Sequence, residues 1–171
     1  NSTGTNGNYG DVIFGDGTLV MLPVAGNVAL YSIDGGETWV QSTLPHSGSW
    51  TGCYGNHGFV AICTDENTAV ATYSQDGKTW TSSPISLPIT QKWNCVKYAH
   101  TQGVVAGQYI AVGNSSNIAI SSTGLSWLSE DGNDSITLPT HQNWTSVFEA
   151  DGKIFAVGGN SNIAAYSINC L

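Results

Sequence analysis

Asn8-Tyr-Gly-Asp-Val-Ile-Phe-Gly-Asp-Gly17 and Asn143-Trp-Thr-Ser-Val-Phe-Glu-Ala-Asp-Gly152 are one pattern written twice, 135 residues apart and without a gap. The correspondence continues through Asn27 and Asn162 to Tyr31-Ser32 and Tyr166-Ser167. Two further units open at Trp50 and Trp93, so three steps cover the distance with a mean period of 45. Each unit runs from an aromatic through two short apolar stretches, an Asn-containing loop and a Tyr-Ser or Ser-Ser stretch to a tight Gly turn. A period of this size filled with strand signals marks propeller blades, each of which must stack on its neighbours to bury its faces. The expected fold is all-β: a small β-propeller of four four-stranded blades with repeats at 9–49, 50–92, 93–143 and 144–171, forming one domain over 1–171.

Composition agrees and excludes several partners. Charged residues are 9% of the chain, hydrophobic ones 40%, and Gly occurs 21 times, as many short strands joined by turns require. The net charge of −8, with four lysines and no arginine, gives polyanion binding no electrostatic basis, so nucleic acid is not an expected partner. No apolar run approaches the roughly 20 residues of a membrane-spanning helix, and membrane insertion is not expected either. The sequence starts at Asn1 without a signal peptide, which suggests a processed piece of a longer protein. Cys53, Cys63, Cys95 and Cys170 have no zinc spacing. A turn near Asn56-His57 would pair Cys53 with Val60 rather than Cys63, so buried free thiols are expected instead of a disulfide.

Phe59-Val-Ala-Ile62, Tyr109-Ile-Ala-Val112 and Ile154-Phe-Ala-Val157 are continuous apolar runs, the pattern of strands covered on both faces. In the second unit the spacing predicts strands near Thr51–Tyr54, Phe59–Thr64, Ala69–Ser74 and Thr79–Ser82. Before the last of these comes Ser74-Gln-Asp-Gly-Lys-Thr-Trp80; its counterparts are Ser32-Ile-Asp-Gly-Gly-Glu-Thr-Trp39 and Ser121-Ser-Thr-Gly-Leu-Ser-Trp127. Gly there supplies positive φ, and the Asp carboxylate can accept the turn's N–H groups.

These three segments resemble the Asp-box repeat, S-x-D-x-G-x-T-W, of Asp-box β-propellers, a group that includes sialidases, other glycosidases and many microbial and viral surface proteins. The first copy matches throughout, the second is one residue shorter, and the third carries Thr123 in place of Asp. The resemblance implies that Asp34, Asp76, Thr38 and Thr79 staple turns, that Trp39, Trp80 and Trp127 pack between blades, and that the ligand face is the opposite one. The wording of the whole repeat is similar to that of bacteriophage tail-fibre and tail-tip receptor-binding domains and related secreted adhesins.

Sialidase catalysis clamps its substrate carboxylate with arginines, which this chain lacks. Other glycosidases need two carboxylates facing one scissile bond, whereas Asp11, Asp16, Glu37, Asp65, Glu66, Glu130, Asp131, Asp134, Glu149 and Asp151 read as turn formers. His46, His57, His100 and His141 fall in loops with no nucleophile motif beside them. The Glu130–Asp134 stretch lacks the spacing of a calcium loop, and no metal or cofactor is expected.

The opposite face should carry the loops preceding each unit, such as Leu44–Trp50, Leu87–Trp93 and Leu138–Trp144, together with the loops of Asn27, Asn67, Asn117 and Asn162. Tyr9, Trp50, Trp93, Trp144 and those four asparagines are therefore the candidate ligand site. Flat rings beside neutral donors and acceptors suit a sugar; the alternative is that the aromatics plug the seams between blades. The expected function is non-enzymatic adhesion to a cell-surface glycan at a virion or cell exterior, with oligomers as part of a fibre. The alternatives are a fragment of a glycoside hydrolase and a ligand-free assembly module. Closure of the fourth blade by the N-terminal segment is expected, with half of a larger two-chain ring as the rival.

Overall fold

The computed structural model describes residues 7–100, 107–129, 138–159 and 164–166. Among these residues, fourteen strands form four antiparallel meanders, all of them blades of a β-propeller. The first comprises β1 (Tyr9–Gly15), β2 (Thr18–Pro23), β3 (Val28–Ser32) and β4 (Val40–Thr43). The second comprises β5 (Trp50–Gly55), β6 (Gly58–Cys63), β7 (Thr68–Ser74) and β8 (Ile85–Gln91). The third has β9 (Trp93–Ala99), β10 (Gln108–Gly113) and β11 (Ala119–Ser121), extended by a bridge from Ile120 to Leu128. The fourth has β12 (Trp144–Ala150), β13 (Lys153–Gly158) and β14 (Ala164–Tyr166).

Local chemistry explains the hairpins. Asp16-Gly17 and Asp151-Gly152 link the first two strands of blades one and four, and all four residues have positive φ, between 45° and 73°. That is the requirement of a two-residue turn matched to strand twist, and Asp-Gly meets it at low cost. Asn56-His57 closes the equivalent hairpin of blade two and pairs Cys53 with Val60; the described cysteines, Cys53, Cys63 and Cys95, are all free and buried.

The fourth strand of blade two departs from the reading of the sequence. Thr79–Ser82 is not a strand: Trp80 is tucked into the core, and the Thr81 N–H donates to the Tyr73 carbonyl at 2.9 Å. The edge strand forms later, over Ile85–Gln91, in the stretch expected to be a loop before Trp93. Its Pro88 is tolerated because an outermost strand can leave one side of its ladder unpaired.

The first strands pack side by side in the order β1, β5, β9, β12, and each pair of neighbouring blades encloses an apolar seam. Ile13, Val20, Leu22 and Ala29 of blade one meet Trp50, Phe59, Ala61, Cys63 and Trp80 of blade two. Cys53, Val60, Ile62 and Ala71 from the other face of blade two meet Trp93, Val96, Tyr109, Ala111 and Trp127 of blade three. Cys95, Ile110, Val112 and Ile120 then meet Trp144, Val147 and Ala156 of blade four. Blades one, two and three thus each have a leading face that covers the trailing face of the next. The fit is close: a Cβ built on Gly15 would lie 2.1 Å from the Tyr54 ring, and one on Gly55 would lie 2.2 Å from the Tyr98 ring. Of the segment Ser2–Gly7, expected to close the fourth blade, all but Gly7 lies outside the described residues, as do Asn162 and Glu130–Asp134.

Candidate functional site

The loops preceding β5 and β9 and the loops joining second to third strands share one face, tied by backbone hydrogen bonds. The Gly48 N–H donates to the Gly26 carbonyl at 3.0 Å, Thr64 to Ser49 at 2.8 Å, and Asn114 to Lys92 at 3.0 Å. The aromatics that open the units do not rise from this face as stacking platforms. Trp93 and Trp144 are 0% exposed and Trp50 is 2% exposed. The reason is the seam: each ring is the largest apolar group at the inner edge of its blade and gains most by filling the space against the preceding one. Tyr9, which has no preceding blade, is half-buried. Trp144 Nε1 donates to the Thr140 carbonyl at 3.1 Å, whereas the indole N–H groups of Trp50 and Trp93 are buried without a partner. Asn27 and Asn67 are exposed and Asn117 is half-buried, but none lines the cavity described next; Asn67, at φ 56°, serves its own turn.

What the face does present is an open cleft of about 690 Å³ between the first three blades. Blade one contributes Gly10, Asp11 and, just after β2, Val24; blade two contributes Thr51, Thr64, Asp65, Glu66 and the narrow exposed edge of Trp50; blade three contributes Asn94 and Lys97; Ser49 and Lys92 come from the loops between blades. The floor is built from polar ties across the seams. The Asp11 carboxylate accepts from the Thr51 hydroxyl at 2.7 Å and the Gly52 N–H at 3.0 Å. Asn94 Nδ2 donates to Asn143 Oδ1 and to the Trp144 carbonyl, each at 2.7 Å. On the wall, Lys92 Nζ and Glu66 Oε1 form an exposed ion pair at 3.0 Å, and Asp65 Oδ1 accepts from the Ser49 N–H at 3.3 Å. Asp11 is therefore no turn former but an inter-blade tie. Its signal in the sequence is positional: Asp11, Thr51 and Asn94 stand one or two residues after the aromatic that opens each unit, alternating with apolar neighbours.

The Ser-x-Asp turns are stapled by their acids. Asp34 accepts from the Thr38 hydroxyl at 2.5 Å, the Thr38 N–H at 2.9 Å and the Ser32 hydroxyl at 2.7 Å. These bonds, the Thr38 hydroxyl foremost, hold its carboxyl well below the usual carboxylate range. Burial alone would push Asp76 up, but hydrogen bonds from the Thr79 and Lys78 N–H groups and the Ser74 hydroxyl outweigh it, and its carboxyl too lies low. Thr123 keeps the role in weaker form, its hydroxyl accepting from the Leu125 N–H at 3.2 Å. Trp80 and Trp127 are buried in seams, while Trp39 is half-buried with Nε1 on the Gly36 carbonyl at 3.1 Å.

No family model and no curated protein matches the sequence. Among solved structures the chain is similar to one described as "YCF48 bound to D1 peptide", at 12% identity and a TM-score of 0.62, over 86% of this chain and 47% of that one. With the four meanders, this likeness defines the class as β-propeller. The chain spans about half the length of the solved protein it matches.

Proposed function

We propose that this chain is a non-enzymatic receptor-binding module that holds a neutral or amino-bearing cell-surface glycan in the cleft between its first three blades. The carrying observation is the cleft itself: about 690 Å³, open, and lined by hydroxyl, amide, carboxylate and ammonium groups from three successive blades. That volume lies within the roughly 300–1,000 Å³ usual for small-ligand sites. Sugar hydroxyls both donate and accept, which a wall of Ser49, Thr51, Thr64 and Asn94 answers on both counts. Three carboxylates against two lysines leave the lining acidic, which favours neutral or cationic sugars over sialic acids. Recognition here is mainly polar: of the unit-opening tryptophans only Trp50 lines the cleft, with 2% of it exposed, while Trp93 and Trp144 fill the seams.

The acid-stapled turns at Asp34 and Asp76 support reading the repeat as Asp-box, and the repeat's wording supports a phage tail-fibre or secreted-adhesin origin, with work at a virion or cell exterior. One observation favours a second reading, a glycoside hydrolase: Asp11, Asp65 and Glu66 line the same cleft. Against it, Asp11 is committed to Thr51 and Gly52, and Glu66 to Lys92.

A glycan array with this chain, followed by calorimetry on the hits, tests the proposal. Lys97→Ala and Glu66→Ala should weaken binding about tenfold or more, the worth of a charged hydrogen bond, with melting unchanged. Binding should vary little with salt. A blank array, or variants that bind like the parent, would remove the glycan reading; released sugar would establish the hydrolase.

A further inference from the structure

Among the described residues the arc of blades has two ends, and each presents an uncovered apolar face. On blade one the trailing face carries Val12 and Phe14, 59% and 67% exposed. The register puts Phe14 opposite Leu19 and Val12 opposite Met21, the positions that in blade three are Tyr98 opposite Tyr109 and Val96 opposite Ala111. In blade three those four residues belong to, or pack against, the seam core; in blade one their counterparts face solvent or lie half-covered. On blade four the leading face carries Phe148 and Val157, 46% and 37% exposed, with Phe148 stacked on Phe155 at 5.2 Å between ring centroids. Their counterparts on blade one, Ile13 and Leu22, are covered by blade two.

The knob-and-notch fit is open at the same two ends. Tyr54 sits over Gly15 and Tyr98 over Gly55, so in the first two seams an aromatic of one blade fills the notch left by a glycine at the end of the preceding first strand. Phe14 occupies the knob position of blade one and meets no notch. Ala150 occupies the notch position of blade four, is exposed, and meets no knob. Apolar patches of this kind on a folded surface mark sites of association. Among the described residues blades one and four do not cover each other, and 86% of this chain superposes on 47% of a larger β-propeller, so the missing coverage amounts to about half a ring.

We propose that the two end faces are complementary halves of one further type of seam, and that a second copy of this chain docks on them head to tail. Phe14 of each copy seats over Ala150 of the other. Two identical seams then form about a twofold axis, closing eight blades into one ring. Such a heterologous contact closes because each arc supplies about half a turn; an arc of another extent would build filaments. Closure also buries both sheet faces that a lone arc leaves wet, while leaving the polar cleft between blades one and three open in each copy.

Light scattering coupled to size exclusion, on this chain over a range of concentrations, reads the proposal directly. The expected mass is that of two chains. Phe14→Asp and Phe148→Asp should each give a folded species of one chain, since neither ring is part of its own chain's core, and far-ultraviolet circular dichroism should match the parent. Mixed in equal amounts, the two variants should recover a 1:1 pair, because the mixture retains one intact seam. A parent that stays a single chain at every concentration would overturn the proposal. So would variants that still pair on their own, a mixture that fails to pair, or a parent whose mass grows without limit. Should Phe14→Asp fail to fold, Val12→Lys on the same face replaces it with the same expectations.

Discussion

Replacing Trp144 by Ala distinguishes a foundation residue from a ligand residue. The side chain is fully buried among Cys95, Ile110, Val112, Ile118 and Val147, and Nε1 donates to the Thr140 carbonyl at 3.1 Å. A buried Trp removes about 150–250 Å² from water. At about 25 cal/mol per Å² that is about 4–6 kcal/mol, an upper figure because unfolded chains already hide part of this area. The lost hydrogen bond adds about 1 kcal/mol, and measured Trp→Ala costs in cores run about 3–5 kcal/mol. A loss of about 4 kcal/mol is expected, equivalent to about 8–16 °C of melting temperature for a chain of this length. Against a typical total of about 5–15 kcal/mol, the protein should survive but unfold early in urea, with glycan binding at low temperature reduced no more than its folded fraction. Urea titration followed by circular dichroism, with binding measured below the transition, reads both quantities. Unchanged stability with abolished binding would refute the seam assignment and return the ring to the ligand site.

Other substitutions probe the remaining features. Gly55→Ala should cost about 1–3 kcal/mol in chemical denaturation, because the added carbon lands 2.2 Å from the Tyr98 ring across a seam that cannot yield freely. Thr123→Asp should raise the denaturation midpoint by the equivalent of about 1 kcal/mol, since a carboxylate there can accept the turn N–H groups that Asp34 and Asp76 already capture. The lowered Asp34 carboxyl makes a stabilising contribution that is complete above its unfolded value, near pH 4, and is lost as pH falls toward the lower folded value. Melting temperature measured downward from pH 5 should therefore fall less in Asp34→Asn than in the parent, and an equal fall in both would show that Asp34 is not the titrating staple.

The blades were legible because the period, the two-residue turns and the apolar runs each depend on local chemistry. Asp16-Gly17 needs only its own φ angles to announce a hairpin. The edge strand of blade two was misread because Thr79-Trp80 resembles a strand opening. The acid-stapled turn instead drops Trp80 into the core and delays pairing until Ile85. The site was less legible still. Asp11 finds its partners Thr51 and Gly52 in the next blade, some 40 residues away, and a carboxylate beside Gly reads as a turn former until those partners are brought to it. Trp50, Trp93 and Trp144 have the composition of a sugar platform and of a seam alike. Only the stacking of whole blades decides between the two.

The free cysteines among the described residues fall one to a seam: Cys63 between blades one and two, Cys53 between two and three, and Cys95 between three and four. Burial pushes the Cys53 and Cys63 thiols up, away from the reactive thiolate. An alkylating reagent in native buffer can therefore reach each sulfur only when its own seam parts. The labelling rate at each cysteine, read by peptide mass, then measures how often that blade-to-blade contact opens while the rest of the arc stays shut. Three buried thiols thus amount to a stopwatch on every internal joint, installed without a single substitution.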